Sequence, residues 1–559
     1  MYFCRDKDYI TTDTRGVFVL KWSVAWTRWW MTVLFGIGVF LFWLLCYPHA
    51  LSYQEQYQLF LFSLDYLAHR LAVPGGLADY LGEFLVQFYY YSWSGALVLA
   101  VLLMLAQRLT WRVINSKSSF YILSFVPSIM LLWLLGDPSV LLSYIVALCM
   151  VMIPMVLPWQ KHGSLCRDAV FDAVIIPLFY WLVGPMAWLY VALRVVDKSW
   201  RWSWVLFWML TVQLLAYHFI LTQWPFHTAI WGTYYRIPLQ INALMWIIPV
   251  VIVLIAMLSK VFARKEGHYL WLRYTLQMAS IVVLGFFSLT KGYDKEMYEL
   301  IHQDYLVRQE RWDDIVERAK QYQVQTPFSS VCVNLALSQK RQLADRMFVF
   351  YQSGVDALVM PRIRDLTSML PTAEVFWRLG MVNSAQRYMF DTQESILNAK
   401  KSGRCTKRIA ECMLVNGHYQ VARKQLDLLK KSLFYRQWAL ETEKLLGNET
   451  MINMHPVYGK LRRLRYKDDF LFSYDEIDKM FGLLFVNNPE NRMALDYFMG
   501  QMLLNRNLGG FQQYMSWVQQ YGGYQMMPLG YQDVMMCIQR KGDVEGSPYR
   551  RYVDRQMRK

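Results

Sequence analysis

The stretch Tyr47-Pro-His-Ala-Leu-Ser-Tyr-Gln-Glu55-Gln-Tyr57 decides how the fold of this chain is interpreted. It follows the first long apolar run, residues 30–47, and opens a more polar segment, residues 48–92. The run is long enough to cross a bilayer, because a helix of roughly 20 residues covers the hydrocarbon core. Glu55 therefore lies a few residues beyond a predicted membrane exit, on a long loop.

Composition divides the chain into two halves. Of the 559 residues, 55% are hydrophobic and 16% aromatic, and the long apolar runs all lie before about residue 290. The first run lacks the small-residue cleavage site of a secretory signal peptide. We predict an all-α protein with a cytoplasmic N-terminal segment (1–29), a transmembrane domain (30–290) with an external loop (48–92), and a soluble helical domain (291–559).

Charge on the loops predicts the topology, because cytoplasmic loops carry an excess of Lys and Arg. Five basic residues precede the first span, whereas the segment 48–92 contains one strong base, Arg70. The apolar stretch 170–196 is interrupted by Gly184-Pro185 and could form one span or two. Two spans keep the later basic loops inside, so we predict a polytopic bundle of about nine crossings. The N-terminus is then cytoplasmic and the C-terminal half external.

Net charge and cysteine content limit the possible partners. The formal charge of +16 suits a protein that lies against anionic membrane lipid, and no basic cluster accompanies a recognisable nucleic-acid module. The eight cysteines include no CxxC pair, so we predict no structural metal site. We expect no nucleic-acid partner and no cofactor, while a divalent metal remains possible.

The first external loop predicts an amphipathic helix over residues 52–70 that lies in the membrane interface. Gln58, Asp65 and His69 share its polar face, and Glu55 falls at the border of the polar and apolar faces. A carboxylate beside lipid head groups can have a raised pKa, as a general base requires. Alternatively, this helix only seals the bundle, and its carboxylates are solvated or paired with Arg70.

A second external loop reads Gln223-Trp-Pro-Phe-His227-Thr-Ala-Ile-Trp-Gly-Thr-Tyr234-Tyr235-Arg236-Ile-Pro238. Arg236 and His227 suit a lipid-linked phosphate, since the Arg fork matches phosphate oxygens and the aromatic residues offer a stacking surface. The alternative is an interfacial aromatic belt in which the Arg snorkels to water.

The C-terminal half has helical periodicity throughout and is similar to tetratricopeptide (TPR) repeats. Gly417-His-Tyr419-Gln-Val-Ala422 and Gly380-Met-Val382-Asn-Ser-Ala385 place a turn glycine before an aromatic or apolar residue and a small alanine, as those repeats do. We predict a TPR-like α-solenoid. It could bind a protein partner, or it could act as a lid or strut for the membrane half.

The layout of the first 290 or so residues resembles the GT-C glycosyltransferases. Gln54-Glu55-Gln56-Tyr57 resembles the acidic motif of their first external loop, and Tyr91-Ser-Trp93-Ser-Gly-Ala96-Leu97 resembles the aromatic start of their second span. The resemblance implies that Glu55 is the catalytic carboxylate, with Asp65 in reserve, although Gln54 stands where that family often has an Asp. Residues that would bind a polyprenyl-phosphate sugar donor are Arg70, His227, Tyr234 and Arg236.

Two further resemblances concern the whole chain. Certain protein O-mannosyltransferases join a GT-C core to TPR-like repeats. The Tyr-Gln-Glu-Gln-Tyr loop also resembles that of an uncharacterised group of multi-spanning Bacteroidota proteins, which implies a bacterial inner membrane and a periplasmic C-terminal half. We therefore expect a GT-C-type transferase that acts on an envelope acceptor. The alternatives are a non-catalytic scaffold that recruits envelope proteins and, less favoured because the spans show no internal symmetry, a transporter of lipid-linked substrates.

Overall fold

A computed structural model describes most of the chain. The described residues are 24–114, 120–156, 165–198, 200–226, 242–262, 270–322, 325–363, 367–397, 400–466, 474–520, 524–539 and 545–558. They form α-helices and short 3₁₀ turns, without a β-strand among them. The predicted all-α class is confirmed.

The N-terminal half consists of apolar helices and the shorter helices of the first loop. Their bounds are α1 (Val24–Leu45), α2 (Pro48–Glu55), α3 (Leu64–Leu71), α4 (Gly76–Val86), α5 (Ser92–Ile114), α6 (Phe125–Leu134), α7 (Ser143–Val156), α8 (Leu165–Val183), α9 (Ala187–Lys198), α10 (Trp204–Phe219), α11 (Leu244–Phe262) and α12 (Leu270–Lys291). Apolar side chains on α11 and α12 face outwards; Leu254 is 50% exposed and Phe286 is 62% exposed. Such surfaces are expected where lipid replaces water.

Four described segments are long and apolar enough to cross a membrane, namely Trp26–Leu45, Ser92–Ile114, Leu165–Lys198 and Leu244–Val261. A fifth is added if Tyr274–Lys291 and the helix after it, which bends away by 56°, count as one span. These segments are consistent with membrane association. The prediction of nine crossings is not supported by helix length, because α6, α7 and α10 are short for a bilayer.

The segment Leu165–Lys198 folds back on itself. Gly184 has a φ of 65°, a left-handed conformation that glycine adopts without strain, and Pro185 follows it. The two helices then run side by side, because Arg194 Nε donates to Asp172 Oδ1 at 2.8 Å although 22 residues separate them. The sequence left open whether this stretch forms one helix or two, and the structure has two.

The C-terminal half is a continuous series of helices, most of which pack on their sequence neighbours. Their bounds are α13 (Lys295–Arg308), α14 (Trp312–Gln321), α15 (Pro327–Gln339), α16 (Leu343–Arg346), α17 (Met369–Leu379), α18 (Val382–Glu394), α19 (Gly403–Asn416), α20 (Tyr419–Lys430), α21 (Arg436–Glu443), α22 (Glu449–Met454), α23 (Tyr458–Leu464), α24 (Ile477–Asn487), α25 (Arg492–Leu504), α26 (Leu508–Gln520), α27 (Leu529–Gln539) and α28 (Pro548–Met557). Gly380 and Gly417 end α17 and α19 with φ of 84° and 82°, which gives each pair a tight left-handed turn.

The first loop does not form the single helix predicted over residues 52–70. Helices α2 and α3 are separated by a stretch without helix, residues 56–62, which we call the docked segment. Leu59 N–H donates to Lys401 O at 2.8 Å, and Phe62 N–H donates to Lys431 O at 2.7 Å. Leu59 and Leu61 are buried in an apolar cluster with residues of α19, α20 and α21. Leu59 and Leu61 therefore pack against the C-terminal half, which supplies both the apolar contacts and the backbone acceptors, whereas Leu64 of α3 is 83% exposed.

Candidate functional site

The structure describes three of the six residues that the sequence indicated as a site. Glu55 ends α2, whereas Asp65 and Arg70 belong to α3. His227, Tyr234 and Arg236 lie outside the described residues, so their role in donor binding stays a prediction.

Glu55 is buried under the C-terminal half, with 4% of its surface exposed. Its Oε1 accepts a hydrogen bond from the Tyr435 hydroxyl at 2.8 Å, and its Oε2 lies 3.5 Å from Arg308 Nη2. Arg308 is fixed in turn by a 2.9 Å hydrogen bond to the Ser52 hydroxyl, one turn before Glu55. Burial raises the pKa of the Glu55 carboxyl, and Arg308 and Tyr435 only partly offset this effect. Glu55 is thus a buried carboxylate that is more basic than usual.

Asp65 has a different environment. It is exposed in the first turn of α3, where Ser63 caps the helix by accepting from Tyr66 N–H. An acidic residue at this position stabilises the helix through its dipole. The structure thus separates the two carboxylates, with Glu55 inside the protein and Asp65 at its surface.

Arg70 belongs to a buried four-charge cluster with Asp79, Glu83 and Lys400. Its Nη2 lies 2.9 Å from Glu83 Oε1, and Lys400 Nζ contacts Asp79 at 2.7 Å and Glu83 at 2.5 Å. Each of the four side chains is at most 6% exposed. The two cations hold the pKa of Glu83 below its usual range although burial acts to raise it. Arg70 is therefore already paired. Through Lys400, the four-charge cluster connects α3 and α4 to the C-terminal half.

A cavity of about 1000 Å³ lies next to Glu55, between the first loop and the C-terminal half. We call it the junction cavity. Ser52 and residues 90–92 line it from the loop, and Tyr435, which binds Glu55, lines it from the other side. Its lining contains four acidic side chains (Glu310, Glu374, Glu411, Glu490) and eight basic ones (Arg308, Arg341, Arg378, Arg404, Lys407, Arg408, Lys460, Arg492). Its size and its charge excess suit an anionic ligand.

Helix α19 supplies one wall of the junction cavity. Arg404, Lys407, Arg408 and Glu411 are spaced at i, i+3, i+4 and i+7, so that they share one face of the helix. Arg404 Nη1 contacts Asp304 Oδ2 at 2.6 Å and also donates to the Gln56 side chain at 3.0 Å. This helix therefore binds the docked segment on one side and faces the cavity on the other.

Paired charges hold the wall rigid. Arg408 Nη2 donates to both oxygens of Glu374 at 2.8 and 2.9 Å, and its guanidinium lies 4.3 Å from the centre of the Trp377 ring. Burial would raise the pKa of Glu374, but Arg408 and Arg404 outweigh it and lower the pKa to about 2. Glu374 therefore stays ionised and keeps the guanidinium of Arg408 in place.

One side of the junction cavity is close to the membrane half. Tyr90 and Tyr91 precede α5, the second membrane-length helix, and both line the cavity. Phe434 stacks on Tyr90 with ring centres 5.2 Å apart, and Trp93 nearby is 58% exposed. Aromatic residues of this kind collect where a protein meets lipid head groups.

The described residues contain no group of three or more His, Cys, Asp or Glu side chains that could hold a metal ion. The possibility of a divalent metal is therefore not supported by any site in this part of the chain.

Sequence reasoning missed most of the cavity, because its walls come from segments hundreds of residues apart. The face of α19 carried a readable signal, since three basic residues at helical spacing in a soluble helix suggest a common target. Lys460, which is exposed on α23, also lines the cavity. No pattern in the sequence pairs Glu55 with Arg308 and Tyr435.

The fold and the cavity define a class of protein, namely an all-α protein with membrane-length helices and a charged cavity at its junction with a helical C-terminal half. The chain belongs to a family of unknown function, DUF6057, whose model matches residues 23–558. No curated protein and no solved structure matches the chain.

Proposed function

We propose that this protein is a membrane glycosyltransferase of GT-C type. It would transfer a sugar from a polyprenyl-phosphate-linked donor to an envelope acceptor, in the junction cavity, on the periplasmic side of a bacterial inner membrane. One observation carries this proposal. Glu55 is a buried carboxylate with a raised pKa, and it accepts a hydrogen bond from Tyr435, which lines the large basic junction cavity beside the membrane half.

The proposed topology has nine passes, including four by short helices, α6, α7, α9 and α10. Contacts between helix ends support it. Gly75 N–H donates to Trp181 O at the end of α8, and Tyr144 OH donates to Met245 O at the start of α11, both at the end that carries the first loop. At the opposite end Ser259 donates to Ile114 O and Lys260 donates to Val196 O. An odd number of passes places the C-terminal half on the side of the first loop, as their contacts require.

In the proposed reaction Glu55 is the base. An acceptor hydroxyl that replaces Tyr435 at Oε1 would give its proton to the carboxylate while its oxygen bonds to the sugar carbon. The bond from that carbon to the phosphate oxygen breaks, and the polyprenyl phosphate leaves with the electron pair. A raised pKa suits this role, because a base works best when its pKa approaches the working pH.

The remaining donor contacts are proposed in part from the sequence. His227, Tyr234 and Arg236 would complete donor binding from the second external loop. Arg70 is less suited, because Glu83 and Asp79 already satisfy its charge. The TPR-like character of the C-terminal half, proposed from the turns at Gly380 and Gly417, would let its helices position the acceptor.

The second candidate is a non-catalytic scaffold that recruits envelope proteins. The pairing of Glu55 with Arg308 and Tyr435 favours it, since a carboxylate that is already satisfied serves equally well as a strut.

Full-length protein in nanodiscs discriminates between the two candidates. Glu55→Gln removes the base at nearly unchanged shape, and Asp65→Asn is the matched control at an exposed site. We expect transfer from a polyprenyl-phosphate sugar to fall about 100-fold or more in Glu55→Gln, within the usual range for a lost general base, and to persist in Asp65→Asn. Tyr435→Phe, which leaves the carboxylate in place, should retain transfer and serves as the second variant if Glu55→Gln misfolds. Equal transfer by all three variants, or none by the wild type, refutes the enzyme.

Deleting residues 291–559 does not test the scaffold. The deletion also removes Lys400 and Tyr435, which are the partners of carboxylates on the first loop. Point variants on the C-terminal half that leave the four-charge cluster intact are the appropriate test, with recovery of envelope partners as the readout.

A further inference from the structure

We propose that the junction cavity contains a phosphate-binding subsite centred on Lys407. This inference rests on the proposed function only because it uses the same cavity. Phosphate binding can be measured whether or not sugar transfer occurs.

Lys407 differs from its neighbours on α19 in lacking a carboxylate partner. Arg404 and Arg408 are paired with Asp304 and Glu374, whereas no ion pair involves Lys407 within the part of the chain that the structure describes. Its ammonium lies 4.8 Å from the centre of the Trp438 ring and the side chain is only partly exposed. Burial lowers the pKa of Lys407, which indicates a cation held in place without full compensation by water or by a counter-ion.

Two more cations border the same cavity. Arg341, just after α15, and Lys460, on α23, are exposed, and neither makes an ion pair with another described residue. Together with Lys407 they carry three positive charges that have no ion-pair partner among the described residues. Cations that line one cavity focus their field into it and attract a multiply charged anion.

The charged side chains around Lys407 determine which anions can bind beside it. Glu411 and Glu374 favour the charged form of Lys407, and Arg408 and Arg308 oppose it. A phosphate or pyrophosphate can accept from an ammonium and from guanidinium groups at the same time, because several oxygens share its charge. The ring of Tyr305 on the same lining would cover the uncharged remainder of the ligand.

Two sources could supply this chemistry. The side of the cavity at residues 90–92 adjoins a membrane-length helix, so the head group of a phosphorylated lipid could reach the subsite from the outer leaflet. A soluble phosphate ester would reach it from water instead.

Calorimetric titration of the full-length protein in phosphatidylcholine nanodiscs, with inorganic pyrophosphate as the probe, tests the subsite. Lys407→Met should weaken binding about 10- to 100-fold, since one charge-assisted hydrogen bond is lost. Lys407→Arg should stay within about 3-fold of the wild type, because it keeps the charge. Lys479→Met is the matched control, since Lys479 pairs with Glu476 at the surface and does not line the cavity. Arg341→Gln serves as the second variant if Lys407→Met does not fold.

A wild type that does not bind pyrophosphate, or Lys407→Met and Lys479→Met variants that bind it equally, overturns the subsite. Nanodiscs that also contain a polyprenyl monophosphate identify the source: competition with pyrophosphate indicates a lipid, and its absence with retained pyrophosphate binding indicates a soluble ester. Measurements on the wild type separate this inference from the proposed function. Wild-type protein that binds pyrophosphate but has no transferase activity refutes the enzyme alone, and transfer without pyrophosphate binding refutes the subsite alone.

Discussion

Replacing Lys400 with Met should detach the first loop from the C-terminal half. The Lys400 side chain is 3% exposed and contacts Asp79 at 2.7 Å and Glu83 at 2.5 Å. Two cations and two carboxylates balance in the four-charge cluster, so the variant leaves one buried negative charge uncompensated beside Arg70. Breaking a buried pair in this way costs about 3 to 5 kcal/mol.

Hydrogen exchange at the docked segment measures this loss. The amides of Leu59 and Phe62 donate to backbone oxygens of the C-terminal half, so they exchange only when the segment comes away. A loss of about 3 to 5 kcal/mol corresponds to a rate increase of roughly 100- to 4,000-fold, because each 1.4 kcal/mol is a factor of ten. Mass spectrometry of the peptide that covers residues 56–62 would record it.

Two further variants decide whether charge is the cause. Adding Asp79→Asn to Lys400→Met restores neutrality, and we expect it to recover more than half of the lost protection. Lys430→Met removes a surface pair with 24% of the Lys side chain exposed, and it should cost less than about 1 kcal/mol. An increase below about 10-fold in Lys400→Met, or the absence of rescue by Asp79→Asn, would show that this reasoning is wrong.

Three other predictions concern stability. Burial lowers the pKa of His49 to about 3. The contribution of neutral His49 to stability is therefore complete above about pH 6.5 and falls by about 2 kcal/mol at pH 5. His49→Phe should flatten the fall in melting temperature between pH 6.5 and 4.5, and an unchanged slope would contradict this prediction. Arg194→Met leaves Asp172 buried without its cation and should cost about 3 to 5 kcal/mol in thermal unfolding, whereas a cost under 1 kcal/mol would show that water reaches the pair. Gly417→Ala should cost about 1 kcal/mol for its left-handed φ alone, and Gly380→Ala should cost more because a Cβ there would lie 2.9 Å from the Leu464 side chain of α23; equal melting temperatures would refute the difference.

Local patterns in the sequence predicted the helices well. Apolar runs and helical periodicity are properties of neighbouring residues, and they indicated the all-α class and the turns at Gly380 and Gly417. The hairpin at Gly184 was left open because Gly-Pro can bend a helix or end it. In the structure the Asp172–Arg194 contact shows that the chain turns back there.

The candidate site was less predictable, for a physical reason. An amphipathic pattern shows that residues 52–70 have an apolar side but not what covers it, and the C-terminal half competes with lipid for that surface. The structure resolves this competition through backbone acceptors at Lys401 and Lys431, which no side-chain pattern indicates. Glu55 could be singled out from its place after the first span, but its partners could not.

The contacts between the first loop and the C-terminal half also impose an order on biosynthesis. Asp79 and Lys400 are 321 residues apart, and Glu55 and Tyr435 are 380 apart. At a translation rate of about 5–20 residues per second, the loop waits about 15 to 65 s for Lys400 to be made. During that time Glu55 and the backbone amides of Leu59 and Phe62 lack their native partners. A ribosome that stalls between the two halves would therefore leave an incomplete loop with exposed apolar and polar groups, which proteases could recognise.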